Sequence, residues 1–254
     1  MANRNFQTRQ ALEKEMKDLY SNITFGASTA ATATLDLTED IVLTSVAAGD
    51  DRNDETFTVQ VAAAADNPTD TVLAVFSGTA AAITVTITPN DGTNNSATPV
   101  NLTTAELVEL INDGSVTGKN VTVTDTSSLR ALQTATGGDT TPLADSGEGD
   151  GVAATFANGA VADPTVNDDL GFSSVARSSK GVFLATLPEK YNKLRSFSGM
   201  ILLSTVTDTK IQLVSEAMAT AGTITFRTIT GTTLVDPSSS TKALLKMEVR
   251  NSSV

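Results

Sequence analysis

Apolar and polar residues alternate with a period of two along much of this chain. Phe57, Val59 and Val61 alternate with Thr58 and Gln60; Ile83, Val85 and Ile87 alternate with Thr84, Thr86 and Thr88; Val72 to Phe76 is a short apolar run between them. Each pattern predicts a half-buried strand. Turn residues separate them at Asp50-Asp51-Arg52-Asn53-Asp54, Asp66-Asn67-Pro68 and Pro89-Asn90-Asp91-Gly92. Then the period changes. Thr103-Thr104-Ala105-Glu106 fits a capping box, Leu107, Val108 and Ile111 share one helical face, and Gly114 can end the helix. Strand signals resume at Val121–Thr124, Leu129–Thr134 and Val152–Phe156, with glycine-rich turns at 137–138 and 147–151.

The last third is again β. Val182–Leu187, Phe197–Val206, Lys210–Glu216, Thr223–Ile229 and Ala243–Arg250 are candidate strands, with turn signals at Pro188, Asp208, Gly222, Gly231 and Asp236-Pro237. Such spacing predicts a small antiparallel sandwich or barrel. The N-terminal segment reads differently. Residues 5–21 predict a helix, because Leu12, Met16, Leu19 and Ile23 follow a 4-3-4 spacing that makes an apolar seam. Arg9–Glu13, Glu13–Lys17 and Lys14–Asp18 would be ion pairs on its exposed faces. The seam suits either a surface helix packed on its own domain or a short oligomerisation and docking helix. Residues 26–40, small and polar, read as a linker.

Charge divides the chain in the same places. Residues 28–176 hold twenty-one acidic and three basic side chains (Arg52, Lys119, Arg130), a net of −18. Residues 1–27 are net +1 and residues 177–254 net +5. The expected organisation is therefore an N-terminal docking segment 1–27 that forms one unit with a C-terminal antiparallel β domain 177–254. An acidic β-rich domain with one helix, 28–176 and centred on 36–165, is inserted between them. The fold class is mainly β. No stretch approaches the ~18–20 apolar residues of a membrane-spanning helix. The opening MANRNFQTRQ has charges and no apolar core, so no secretory signal is read there.

The chain has no His, Cys or Trp. Ser–His and Cys–His nucleophilic pairs, thiolate or imidazole metal sites and disulfides are thus excluded. The acidic balance argues against nucleic acid and against an anionic membrane. Asp50, Asp51, Asn53, Asp54 and Glu55 could hold Ca²⁺, but their spacing is not that of an EF-hand, and a solvated turn fits better. Glu148 and Asp150, between glycines, suit a tight turn. No catalytic residue, cofactor or metal is expected. Lys180, Lys190, Lys193, Arg195, Lys242, Lys246 and Arg250 form either an ordinary solvated face or an electrostatic footprint for an acidic protein lattice.

The segments NFQTRQALEKEMKDLYSNITFGAS, SSKGVFLATLPEKYNKLRSFSGMIL and VDPSSSTKALLKMEVRNSSV resemble small virion-associated proteins of tailed bacteriophages. In those proteins the TFGASG-like and SKGI-like segments are nearly contiguous, whereas about 150 residues separate Gly26 from Ser179 here. The intervening ITVTITPNDG, NLTTAELVELIND, VTVTD and LADSGEGDGVAATF resemble a β-rich module recurrent in phage structural proteins, with Ala144-Asp145-Ser146-Gly147 in place of its double glycine. The resemblance implies a non-enzymatic virion protein. The leading expectation is a capsid decoration, cement or head-fibre component on the virion surface; the alternative is a tail component. It implies the major capsid protein or another virion protein as partner, a homo-oligomer (a trimer first), and a module able to meet the host surface.

Overall fold

The computed structural model describes residues 16–62, 71–90, 100–125, 128–143, 150–168, 171–202 and 208–250. The fold is mainly β, and the chain divides into two compact units: residues 1–28 with 161–254, and residues 29–160.

The discontinuous unit is a sandwich of two antiparallel sheets. One has the order β11 (Thr165–Val166), β1 (Met16–Thr24), β18 (Lys242–Arg250), β14 (Lys193–Leu202). The other has the order β12 (Ser174–Ser179), β13 (Val182–Thr186), β16 (Thr223–Thr230), β15 (Thr209–Ala217), with β17 (Thr233–Leu234) beside β16. Strand β18 shows the logic. Ala243, Leu245, Met247 and Val249 are buried, and the residues between them face outward. Facing them from the second sheet are Phe183, Ala185, Ile224 and Phe226. Phe226 stacks on Phe183 at 5.4 Å, and Phe25 meets Phe183 edge-on at 5.2 Å. Such ring pairs add about 0.5–1.5 kcal/mol each beyond their area.

The expected N-terminal helix is corrected over 16–24. Those residues form β1, paired along its whole length with β18 and at its end with β11; residues 1–15, including Leu12, lie outside the described residues. Leu19, Ser21 and Ile23 are buried and Tyr20 is exposed, which is a period of two. Leu19 and Ile23 are core residues of the sandwich, and Met16, an odd step away, belongs to the opposite face, so no helical seam exists. The ion pairs change accordingly. Lys17 reaches Glu189 at 2.5 Å and Asp18 reaches Lys246 at 3.3 Å, both across the tertiary fold. Two-sided strand pairing overrides a local helical preference.

The other unit has two sheets around its own core. One has the order β10 (Ala160–Val161), β2 (Ser28–Leu35), β3 (Ile41–Ala48), β8 (Gln133–Gly137). The second is mixed, with the order β7 (Val121–Asp125), β5 (Val72–Thr79), β6 (Ala82–Thr88), β4 (Thr56–Val61), β9 (Val152–Thr155). Strands β4 and β6 run parallel, with Phe57 opposite Ile83 and Val59 opposite Val85, all fully buried. The helix α1 (Thr104–Asp113) carries the predicted capping box: the Glu106 N–H donates to Thr103 Oγ1 at 3.2 Å and the Thr103 N–H to Glu106 Oε2 at 2.8 Å. Gly114 ends it at φ 75°, its N–H donating to Leu110 O at 3.0 Å. The expected linker 26–40 is corrected too: Ser28–Leu35 is strand β2, with Ala31, Ala33 and Leu35 in the core. Residues 129–132 form a 3-10 turn before β8 rather than strand.

The unit boundary falls at 160/161, not at the charge break near 176. Residues 161–176 belong to the sandwich: β11 pairs with β1, Phe172 and Val175 enter its core, and β12 pairs with β13. Their carboxylates serve that unit. Asp168 Oδ2 accepts the Asn22 N–H at 3.1 Å and Asp163 Oδ1 the Arg177 N–H at 2.7 Å. Unit 29–160 then holds eighteen acidic and three basic residues, a net of −15. Its ends are adjacent, since the Thr29 hydroxyl lies 3.4 Å from Ala160 O. On the sandwich side the Ala162 N–H donates to Ala27 O at 2.9 Å.

Candidate docking surface

Pairing with β18 in the middle brings four of the seven basic residues to one face. Lys242, Lys246 and Arg250 are on the outward side of β18, and Lys193 stands opposite Arg250 on β14. Lys180 lies in the turn between β12 and β13, Lys190 follows β13, and Arg195 sits at an irregularity of β14 between Leu194 and Ser196. The structure therefore splits the basic set, and it interleaves the shared face with Asp18 and Glu248. Lys246 is 3.3 Å from Asp18 Oδ2 and 5.5 Å from the centre of the Tyr20 ring. Hydrogen bonds to Asp18 and Tyr20, with the Asp18 charge, hold its ammonium above the ordinary lysine range.

The same face exposes apolar side chains that the strand patterns did not single out. Tyr20 is 49% exposed, Met200 60%, Leu202 46% and Leu244 44%. The register sets Leu244 between Asn22 and Met200, with Tyr20 and Leu202 one outward position away along their strands. The signal was present in the sequence. In a strand, consecutive apolar residues send one side chain outward, and this happens at Leu244-Leu245 and at Met200-Ile201-Leu202. A hollow of about 340 Å³ opens over Ser198, walled by Tyr20, Lys246, Leu244 and Met200.

The acidic turn at 50–55 is fastened from within. Arg52 is 6% exposed, and its guanidinium pairs with Glu55. It also donates to Leu132 O at 2.9 Å, Gln133 Oε1 at 3.3 Å and Ala80 O at 3.4 Å, and lies 4.5 Å from the Phe156 ring centre. Asn53 exchanges two 2.9 Å hydrogen bonds with the Gly159 backbone. Two of the five candidate Ca²⁺ ligands are thus committed to holding the turn. Asp150 accepts the Val61 N–H at 3.3 Å, and Glu148 lies outside the described residues. Among the described residues no three acidic side chains converge as a metal site would require, and no helix is long and apolar enough to cross a membrane.

A second cluster lies around Glu189. Lys17 and the Tyr191 hydroxyl both donate to its Oε1, the latter at 2.8 Å, and they hold the carboxyl below the usual glutamate range. Burial and the Glu189 carboxylate push the Tyr191 phenol up to about 12. This cluster ties β1 to the segment after β13. Comparison with protein-family models, with curated proteins and with solved structures finds no match to the chain.

Proposed function

We propose that the chain is a structural virion protein of a tailed bacteriophage, a capsid decoration, cement or head-fibre component that acts by burying surface and not by catalysis. The observation that carries this reading is the division of labour between the units. A sandwich that is net +3 bears an apolar and basic face, and an inserted unit of net −15 returns the chain to the sandwich beside its point of departure. Adjacent entry and exit points let the inserted unit fold without interrupting the core of the sandwich. An acidic unit repels an acidic shell and its own copies, so it belongs outermost. The sandwich would meet the shell and sister subunits. The resemblance of the flanks to small virion proteins supports the same assignment.

The test replaces residues 29–160 with a short Gly/Ser linker, which the Ala27–Ala162 hydrogen bond makes sterically simple. The shortened chain should enter gradient-purified particles as well as the full chain, and antibody to the full chain should label the head. A soluble, folded, shortened chain that stays out of particles would show that the inserted unit itself attaches. Label confined to the tail would move the protein there. Turnover in a broad glycan-cleavage assay, abolished by a single carboxylate substitution, would refute the non-enzymatic reading.

A further inference from the structure

We propose that Asn158 is a latent site of covalent self-modification, a deamidation site that the Asn53 side chain holds closed. The chain contains a single Asn-Gly pair, Asn158-Gly159. An asparagine loses its amide when the next backbone nitrogen attacks its side-chain carbonyl carbon. Glycine in the second position favours this step, because no Cβ hinders the nitrogen and the backbone turns freely. The reaction balances with water alone. The Gly159 nitrogen gives its proton to solvent base and bonds to Asn158 Cγ; the Cγ–Nδ2 bond breaks and ammonia leaves. Water then opens the cyclic imide at either carbonyl, which yields aspartate or isoaspartate.

The structure treats the two reacting groups differently. Asn158 is exposed and left-handed, at φ 63°, whereas Gly159 is buried. The Gly159 N–H donates to Asn53 Oδ1 at 2.9 Å, and the Gly159 carbonyl accepts from Asn53 Nδ2 at 2.9 Å. Only the protonated nitrogen makes the first of these bonds, so the bond opposes loss of the proton that the attack requires. Together the two bonds fix the backbone of Gly159. The Gly49 carbonyl oxygen would lie 2.1 Å from a Cβ built on Gly159, so neighbouring backbone crowds this residue. On the other side of Asn158, Ala157 exchanges backbone hydrogen bonds of 2.8 and 2.9 Å with Thr32. Asn53 in turn sits in the loop that buried Arg52 fastens to Leu132 and Ala80. Access of base, loss of the proton and rotation of the peptide are each opposed by contacts within unit 29–160. Local opening of the turn at 50–55 removes all three obstacles, and Asn158 then records that opening covalently. Isoaspartate would add a backbone methylene between the Ala157–Thr32 bridge and β10, and either product adds a negative charge to the acidic unit.

The experiment incubates the full chain at mildly alkaline pH, native and in urea, and follows each asparagine by peptide mass mapping. In urea Asn158 should convert to aspartyl and isoaspartyl forms faster than any other asparagine. In the native chain its conversion should be slower by about tenfold or more, because reaction waits on local opening. Asn53→Ala removes both hydrogen bonds and should speed native conversion of Asn158 several-fold. Asn53→Asp keeps an acceptor for the Gly159 N–H and should stay closer to wild type than to Asn53→Ala. Asn112, which is bonded to the Ala135 backbone, serves as the internal control and should not change in any Asn53 variant. Far-UV circular dichroism reports folding, and the native-against-urea comparison of the wild type needs no variant. Equal rates at Asn158 in the native and unfolded wild type would overturn the proposal, as would no conversion of Asn158 in urea. A folded Asn53→Ala chain that converts Asn158 no faster than wild type would also overturn it. So would acceleration of Asn112 in step with Asn158, which would make Asn53 a general stabiliser and not a clamp.

Discussion

Replacing Arg52 with Met tests whether the two cores are energetically separate. The substitution keeps an unbranched apolar stem over Phe156 and removes the guanidinium. Glu55, whose side chain is only 17% exposed, loses its ion pair, and the Leu132 and Ala80 carbonyls and the Gln133 side chain lose a donor. Removing one member of a buried pair costs about 3–5 kcal/mol, because the remaining charge stays desolvated. For a unit of this size that lowers the midpoint by roughly 10–20 °C. Adding Glu55→Gln neutralises the stranded charge and should recover a large part of the loss. The aromatic inventory makes the assay selective. The chain has two tyrosines, Tyr20 and Tyr191, and no tryptophan, and both tyrosines belong to the sandwich. Tyrosine fluorescence therefore follows the sandwich, whereas far-UV circular dichroism follows both units. In the variant the dichroism should show an early transition with the tyrosine transition unmoved. If the tyrosine signal shifts in step, the two cores unfold as one cooperative body and the argument fails. If neither moves, the Arg52 cluster contributes nothing.

Three further outcomes follow from the geometry. Thr103→Ala removes the side-chain half of the capping box and should cost about 1 kcal/mol, read as a lower urea midpoint of the dichroism transition alone. Burial pushes the Glu106 carboxyl up, but hydrogen bonds from Lys119 and Thr103 outweigh it and hold the group below its usual 4.5. Its contribution is therefore present above that value and lost as pH falls through the lower folded value; acid titration of the urea midpoint should show this decline, and Glu106→Gln should flatten it. Gly26→Ala would put a Cβ within 2.3 Å of the Ala162 carbonyl oxygen, at the junction where the chain returns to the sandwich. A clash with backbone has no rotamer escape, so a loss of about 1–3 kcal/mol is expected in the tyrosine-monitored transition.

The sequence by itself determined the elements whose signal is local. A period of two marked Phe57–Val61, Ile83–Ile87 and the C-terminal strands, because one buried face imposes it. The capping box at Thr103 and Glu106 and the stop at Gly114 were legible because hydrogen bonds three residues apart make a cap. The absence of His and Cys removed whole reaction classes without any coordinates. Tertiary structure decided what depends on distant partners. Met16–Thr24 carries a helical spacing of apolar residues, yet β18 and β11 pair with it on both sides and make it a strand. Ser28–Leu35 has too little apolar bulk to announce a strand, and its alanines become core only because β3 and β10 flank it. Charge placed the domain break near residue 176, but carboxylates sit at surface positions of either unit, whereas strand pairing set the break at 160/161. The docking face depends most on the tertiary fold. Tyr20, Met200 and Leu244 are far apart in sequence, and their neighbourhood exists only because β18 lies between β1 and β14.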